Sequence, residues 1–273
     1  MDKVLILAGK EIRDGLRNRW VAAAIFLLGT LSLVLALVGT APVGTVQATP
    51  LAATLVSLAS LTVYLMPLLA LMLSYDAIVG EFERGSMLLL LSYPLARWQV
   101  LLGKFLGHLS ILALALLVGY GATALLIGLT NGVDLDSALA FARMMAGSLL
   151  LGAVFLALGY LVSCWVRERA TAAGVAIGLW LSLVVLYDLG LLALLLARDG
   201  QLLSEAQFSL LLTLNPTDAY RLFTLSPGQA SGLLGGLTGA GGAYALPAQL
   251  AVLAGWILLP LGLALWLFRR REL

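Results

Sequence analysis

The chain has 273 residues, 62% of them hydrophobic and 11% charged, where soluble domains average about 45–50% and about 25%. A water-soluble fold is excluded, and no polar stretch is long enough to build a second core, so the chain reads as one all-α, polytopic membrane domain. A net charge of +2 set beside apolar runs excludes a basic nucleic-acid-binding face, and a lone cysteine, Cys164, excludes an internal disulfide framework and any CxxC site.

Residues 1–19 carry an amphipathic pattern. At helical pitch Leu5, Ala8, Ile12, Leu16 and Trp20 share one face while Lys10, Arg13, Asp14 and Arg17 project from the other side. That is the arrangement of a helix lying along a membrane surface. The apolar run that follows has spanning length, about 19 residues against about 7–15 for a signal-peptide core, and predicts an uncleaved first span.

Residues 20–75, 56 in all, contain no Asp, Glu, Lys or Arg. They have room for two helices, 20–38 and 50–75, joined by the turn-rich GTAPVGTVQATP. Further spans are expected at 105–130, 144–166, 170–197 and 247–268, so that 20–273 forms a six-span domain. Between the second and third spans lies a charged segment, 80–97, and between the fifth and sixth a long outer segment, 198–246. In the latter, QLLSEAQFSLLLTLNP predicts a short interfacial helix stopped by Pro216, and SPGQASGLLGGLTGAGG is too glycine-rich for a stable helix.

Six spans place both termini on one side. With that side cytoplasmic, the inner segments carry Lys3, Lys10, Arg13, Arg17, Arg19, Arg84, Arg97, Lys104, Arg167, Arg169, Arg269, Arg270 and Arg271, and the outer ones only Arg143, Arg198 and Arg221. Thirteen cations against three fix the expected orientation by the positive-inside rule.

Catalytic signatures are missing: there is no phosphate loop, no HExxH and no GxSxG, and His108 is the one histidine. The string LSPGQ, 225–229, matches the signature of ABC-type ATPases, but without a phosphate loop and in an outer loop it reads as coincidence. Soft metal ligands do not gather either. Met66 and Met72 are six residues apart on opposite sides of a helix, Met144 and Met145 sit near an outer end, and Cys164 and His108 lie near inner ends. No metal site is expected. Asp188 lies about nine residues inside the outer end of the fifth span, roughly 13 Å deep at helical rise. A carboxylate there is either a functional intramembrane site or a group hydrogen-bonded within a helix interface.

The segment GEFERGSMLLLLSYPLAR, 80–97, is the densest feature. Glu81, Phe82, Glu83 and Arg84 precede Gly85-Ser86, a helix start with Ser86 in the N-cap position, and Tyr93-Pro94 ends the apolar helix MLLLLS. A connecting loop needs no such helix. The combination suits docking into a groove on a soluble partner, apolar side chains giving affinity and charges giving register. The competing reading is a stand-alone channel or secondary carrier for a metal or small solute, which would commonly show repeated halves and broken helices.

The run E-x-E-R-G-S-x-x-x-L-L-S-x-P-x-x-R-x-x-x-x-x-G-K, Glu81 to Lys104, resembles the first cytoplasmic loop of ABC-2-type exporter permeases. The resemblance implies an N-terminal elbow helix, six spans, and a coupling helix formed by Glu81, Phe82, Glu83, Arg84, Gly85 and Ser86. It also implies a homodimer in the bacterial inner membrane, without a cofactor of its own, driven by a separate ATPase that binds ATP and Mg. Within the family, LNPTDAYRLF and YDAIVGEFERGS resemble the branch that matures the copper centres of nitrous oxide reductase. That branch implies a periplasmic protein on the outer face, met by a surface that Asn215, Pro216, Asp218 and Arg221 help to shape.

Overall fold

A computed structural model of the chain describes residues 2–39, 50–131, 135–196, 205–224 and 246–271. In chain order the helices are α1 (Asp2–Arg17), α2 (Arg19–Gly39), α3 (Pro50–Ser74), the short α4 (Val79–Glu83) and α5 (Ser86–Ser92), α6 (Arg97–Asn131) and α7 (Leu135–Trp165). Next come α8 (Arg169–Trp180), a π-helical turn (Leu181–Leu186), α9 (Tyr187–Leu196), α10 (Glu205–Thr213), α11 (Pro216–Thr224) and α12 (Leu246–Arg270). Among the described residues five stretches are long and apolar enough to cross a membrane: Thr54–Glu83, Arg97–Leu129, Ala138–Trp165, Arg169–Leu194 and Leu246–Arg270. A sixth candidate is the pair Lys3–Arg17 and Val21–Leu35, bent by 72°. The turn at 40–49, the LSPGQ string and the glycine-rich part of the outer segment lie outside the described residues.

The helix α7 is the central pillar. It is apolar all round, as a helix enclosed by others must be, and Val154, Phe155, Leu156 and Tyr160 have no exposed surface. It packs against α3, α6, α11 and α12. Its apolar window is 72% buried, against 11% for the run through α8 and α9, which is therefore peripheral. Small residues let the neighbours close in: Gly152 faces Met66 and Leu112, and Gly159 faces Ser74.

The amphipathic helix α1 packs along α6. Its inward face is Val4, Leu7, Ala8 and Glu11, seated over Gly103 and Gly107 of α6. This differs from the single apolar face expected, because Leu5 and Leu16 are exposed. The apolar arc is wide enough for two contacts, one half against α6 and the other half outward.

Three boundaries differ from expectation as well, the fourth span beginning at Leu135 instead of 144 because its helix carries on past the apolar run through Asp136 and Arg143. The third span begins at Arg97 instead of 105, because the helix restarts directly after Pro94 and Gln99 Oε1 accepts the Ala96 N–H at 2.9 Å. In the outer segment Pro216 does not simply stop α10. That helix ends at Thr213 and Pro216 opens α11, where the missing N–H of a first-turn proline costs nothing. Asn215 caps α11 by accepting the Thr217 N–H at 3.2 Å.

Candidate functional site

The charged segment is built on the inner end of α7. The Ile78 and Val79 N–H groups both donate to Ser163 Oγ, at 2.9 and 3.0 Å, so one hydroxyl satisfies the start of α4. Between α4 and α5 the chain turns through Gly85 at φ 71°, a left-handed conformation that favours glycine. Gly85, not Ser86, occupies the N-cap, and Ser86 is the first helical residue. The Ser86 hydroxyl donates to the Glu81 carboxylate.

Three consecutive side chains then reach three different parts of the bundle. Glu81 Oε1 lies 3.1 Å from Lys104 Nζ on α6, and that same ammonium is 2.8 Å from Glu11 Oε1 on α1. The Phe82 ring meets Phe268 of α12 edge-on, with centroids 6.3 Å apart, and the Arg271 guanidinium stands over the Phe82 ring, 4.3 Å from its centroid. Arg271 in turn donates to the Ser163 and Val166 carbonyls at the end of α7, at 3.2 and 2.9 Å. Glu83 Oε1 accepts the Arg169 N–H at 2.6 Å, capping α8, and the Arg169 guanidinium is 3.0 Å from Asp76. Arg97 completes the end of α12 by donating to its terminal carbonyls, Arg271 O at 2.7 Å among them.

What faces outward is a different set. Glu83, Arg84 and Gly85 are exposed, as are Leu88, Leu89 and Tyr93, while Met87 is fully buried and Leu90 and Leu91 pack on the core. The segment therefore has an inner, gripping side carried by Glu81, Phe82 and Ser86. Its outer side is apolar and basic, carried by Arg84, Leu88, Leu89 and Tyr93.

Sequence reasoning missed Glu11, Lys104 and Tyr160 as partners in this site. Lys104 is 3% exposed and Glu11 8%, so both charges depend on each other. Burial alone pushes the Glu11 carboxyl up, but the His108 imidazole and the Lys104 ammonium outweigh it and hold it well below the usual carboxylate range. His108 bridges onward: its Nε2 is 3.6 Å from Glu11 and its Nδ1 2.8 Å from the Tyr160 hydroxyl. One signal was available, because the loop motif opens on Glu81 and closes on Lys104, the two residues that meet.

At the other end of the bundle, the outer motif turns inward. Asn215 and Asp218 are 0% and 2% exposed, and Pro216 is buried with them. Asn215 Nδ2 donates to Asp218 Oδ2 at 3.0 Å and to the Leu183 carbonyl at 3.0 Å. Arg221 bridges Asp218 at 2.6 Å and Asp188 at 2.8 Å. Asp188 thus has a cationic partner, one of the two alternatives its depth posed, and Asn215, Asp218 and Arg221 brace α11 against α9 from within. The reason is a register no periodicity revealed: α11 is an enclosed helix whose polar residues pair across to the π-helical turn.

The sulfur ligands stay apart. Met66 and Met144 are buried in the core, Met72 is exposed, and Cys164 is buried. Among the described residues no three His, Cys, Asp or Glu side chains converge as a metal site would require.

The described residues thus form a bundle of apolar helices with a buried-anchor loop at one end and a braced helix pair at the other. Residues 5–273 match the ABC-2 family transporter protein model, and the chain belongs to that family. Membership of the family that the run Glu81 to Lys104 resembles is borne out. Full-length relatives sharpen it. The chain is 48% identical over 275 residues to the probable ABC transporter permease protein NosY of Stutzerimonas stutzeri, covering 99% of each chain. It is 49% identical over 284 residues to the protein of the same description from Pseudomonas aeruginosa, covering 100% of each. This chain is an ABC transporter permease subunit.

Proposed function

We propose that the chain is the non-catalytic half of an energy-coupling machine: a homodimeric permease in the bacterial inner membrane, both termini cytoplasmic, bound by a NosF-like ATPase that holds ATP and Mg. On the outer face it meets a NosD-like periplasmic protein, and the assembly serves copper-site maturation of nitrous oxide reductase. Likeness to the two NosY permeases supports the pathway, and thirteen cations against three support the orientation.

The observation that carries the coupling reading is the division of the 80–97 segment into two sides. An ATPase pressing on Arg84, Leu88, Leu89 and Tyr93 displaces α4 and α5, and Glu81, Phe82 and Glu83 pass that displacement to α6 with α1, to α12 with α7, and to α8 respectively. Nucleotide then biases two packed arrangements of the bundle. No solute need cross for the outer helices to respond.

A double variant, Leu88→Glu with Leu89→Glu, is expected to fold normally, since both side chains already face outward, and to lose ATPase co-purification. Desolvated apolar anchors of this kind contribute about 2 kcal/mol or more, roughly a thirtyfold change in affinity. Glu81→Gln is expected to keep the ATPase bound and lower its stimulation by the permease. Wild-type co-purification of the double variant would sink the assignment of the outward side.

A further inference from the structure

The π-helical turn has a specific consequence for α9. In a continuous α-helix the Tyr187 N–H would bond the carbonyl four residues back, that of Leu183. Here it bonds the Ser182 carbonyl, five back. The Leu183 carbonyl is instead taken by side chains of the outer helix pair, Asn215 Nδ2 at 3.0 Å with Thr217 Oγ1 behind it at 3.5 Å. Tyr187 Oη donates to the Leu211 carbonyl at 2.7 Å, at the end of α10. Asp188, the next residue, is held by Arg221 at 2.8 Å. The polar groups that fix the extra residue of the π turn in place therefore come from residues 211–221.

We infer that the π turn and the outer helices α10 and α11 form a register latch: while Asn215 and Arg221 hold Leu183 and Asp188, the turn keeps its surplus residue, and on release it relaxes to α-helix and rotates α9. The geometry sets the size of the motion. Taking the surplus residue up into α-helix turns the following helix by about 100° and advances it along its axis by about 1.5 Å. Such a discrete step suits a helix that is already peripheral, with an 11% buried window, because little core has to be repacked. A ligand or protein that draws α11 outward would thereby rotate α9, and a rotation of α9 from within would eject Asn215 and Arg221 from their sites. The latch is mechanical and reciprocal.

Slot exchange tests it in the full-length chain in native membranes, with Cys164→Ala as background. Leu191 packs on the cluster formed by Phe208, Leu212 and Leu222, so the pair Leu191→Cys and Leu212→Cys is expected to be joined by a short bifunctional thiol-reactive cross-linker. Adding Asn215→Ala, or separately Arg221→Met, should move cross-linking at Leu212→Cys from position 191 to Gly190→Cys, the residue that takes the same slot when the surplus is lost. Deleting Leu186, which is 53% exposed, removes the surplus residue covalently and should return cross-linking to 191 even with Asn215→Ala present. Retention of the 191 pair in both single variants overturns the latch. So does loss of both pairs that the Leu186 deletion fails to restore, since that is the signature of simple unfolding of α11.

Discussion

Lys104→Met is expected to be among the most damaging single substitutions in the chain. The ammonium sits 2.8 Å from Glu11 and 3.1 Å from Glu81 with only 3% of the residue exposed. Removing it leaves two largely buried carboxylates facing one another, offset by His108 and Lys10 beside Glu11 and by the Ser86 hydroxyl on Glu81, and breaking a buried ion pair from one side costs about 3–5 kcal/mol. The effect should show as a large drop in the melting temperature of detergent-solubilised protein and as loss of α1 from its seat on α6. Adding Glu11→Gln and Glu81→Gln to Lys104→Met removes the stranded charges, and most of the lost stability should return. A triple variant as unstable as the single would mean that Lys104 acts through packing of its stem, not through charge.

The pH dependence gives the same mechanism a sign. In the folded wild type the Glu11 carboxyl is held below its ordinary value of 4.5, so the stability it contributes is complete above that value and is lost only as pH falls through the folded one. Without Lys104 burial is opposed by the His108 hydrogen bond with less help, and the balance at the Glu11 carboxyl shifts toward its protonated form. Lowering the pH from about 7.5 to about 5.5 should therefore leave wild type nearly unchanged and partly rescue Lys104→Met, narrowing the gap between them. A gap that widens in acid would reverse the electrostatic account.

The helices of this fold could be read from hydropathy because a membrane helix needs an unbroken apolar run, and α3, α6, α7 and α12 each have one. Their ends were harder to read, because Arg97 and Asp136 belong to helices that extend past the apolar window into polar surroundings. The π turn was invisible for a different reason. LSLVVLYDL has no proline or glycine before Gly190 to mark a break, and what holds the turn is a set of groups 24 or more residues downstream. A register fixed by distant partners leaves no local trace.

The charged loop was legible as a site but not in its division of labour. The family resemblance singled out Glu81 to Ser86 as one contact set, whereas Glu81 and Phe82 turn inward and Leu88 and Leu89 turn outward. Helical phase within so short an element depends on the left-handed turn at Gly85, which resets the direction of everything after it. The same applies to Asn215, Asp218 and Arg221. Three polar residues in an outer segment suggest a wet surface, and only the enclosure of α11 by its neighbours shows them as an internal brace.

Gly107→Leu is expected to part α1 from α6 altogether. A Cβ at Gly107 would stand 2.6 Å from Glu11 Cβ and 3.0 Å from the Ala8 carbonyl oxygen, and one at Gly103, a turn earlier on the same face, 2.7 Å from Leu7 Cβ and 3.1 Å from the Val4 oxygen. The obstacle at both positions includes backbone, so no side-chain rotation relieves it, and α1 must shift bodily. Overpacking of this kind costs about 1–3 kcal/mol for a methylene or two, and a leucine exceeds what the crossing can absorb. Because Glu11 rides on the same helix, the shift also draws it from Lys104, adding the electrostatic loss to the steric one. Gly9 supplies the control. It lies on α1 itself, where an added methyl would meet nothing within 4 Å, and Gly9→Ala should strengthen the helix by up to about 1 kcal/mol. Trypsin access at Arg13 and Arg17 separates the two: rapid cleavage in Gly107→Leu membranes, wild-type protection in Gly9→Ala. Undiminished protection in Gly107→Leu would show that α1 is held by its outward apolar half and not by the glycine seat on α6.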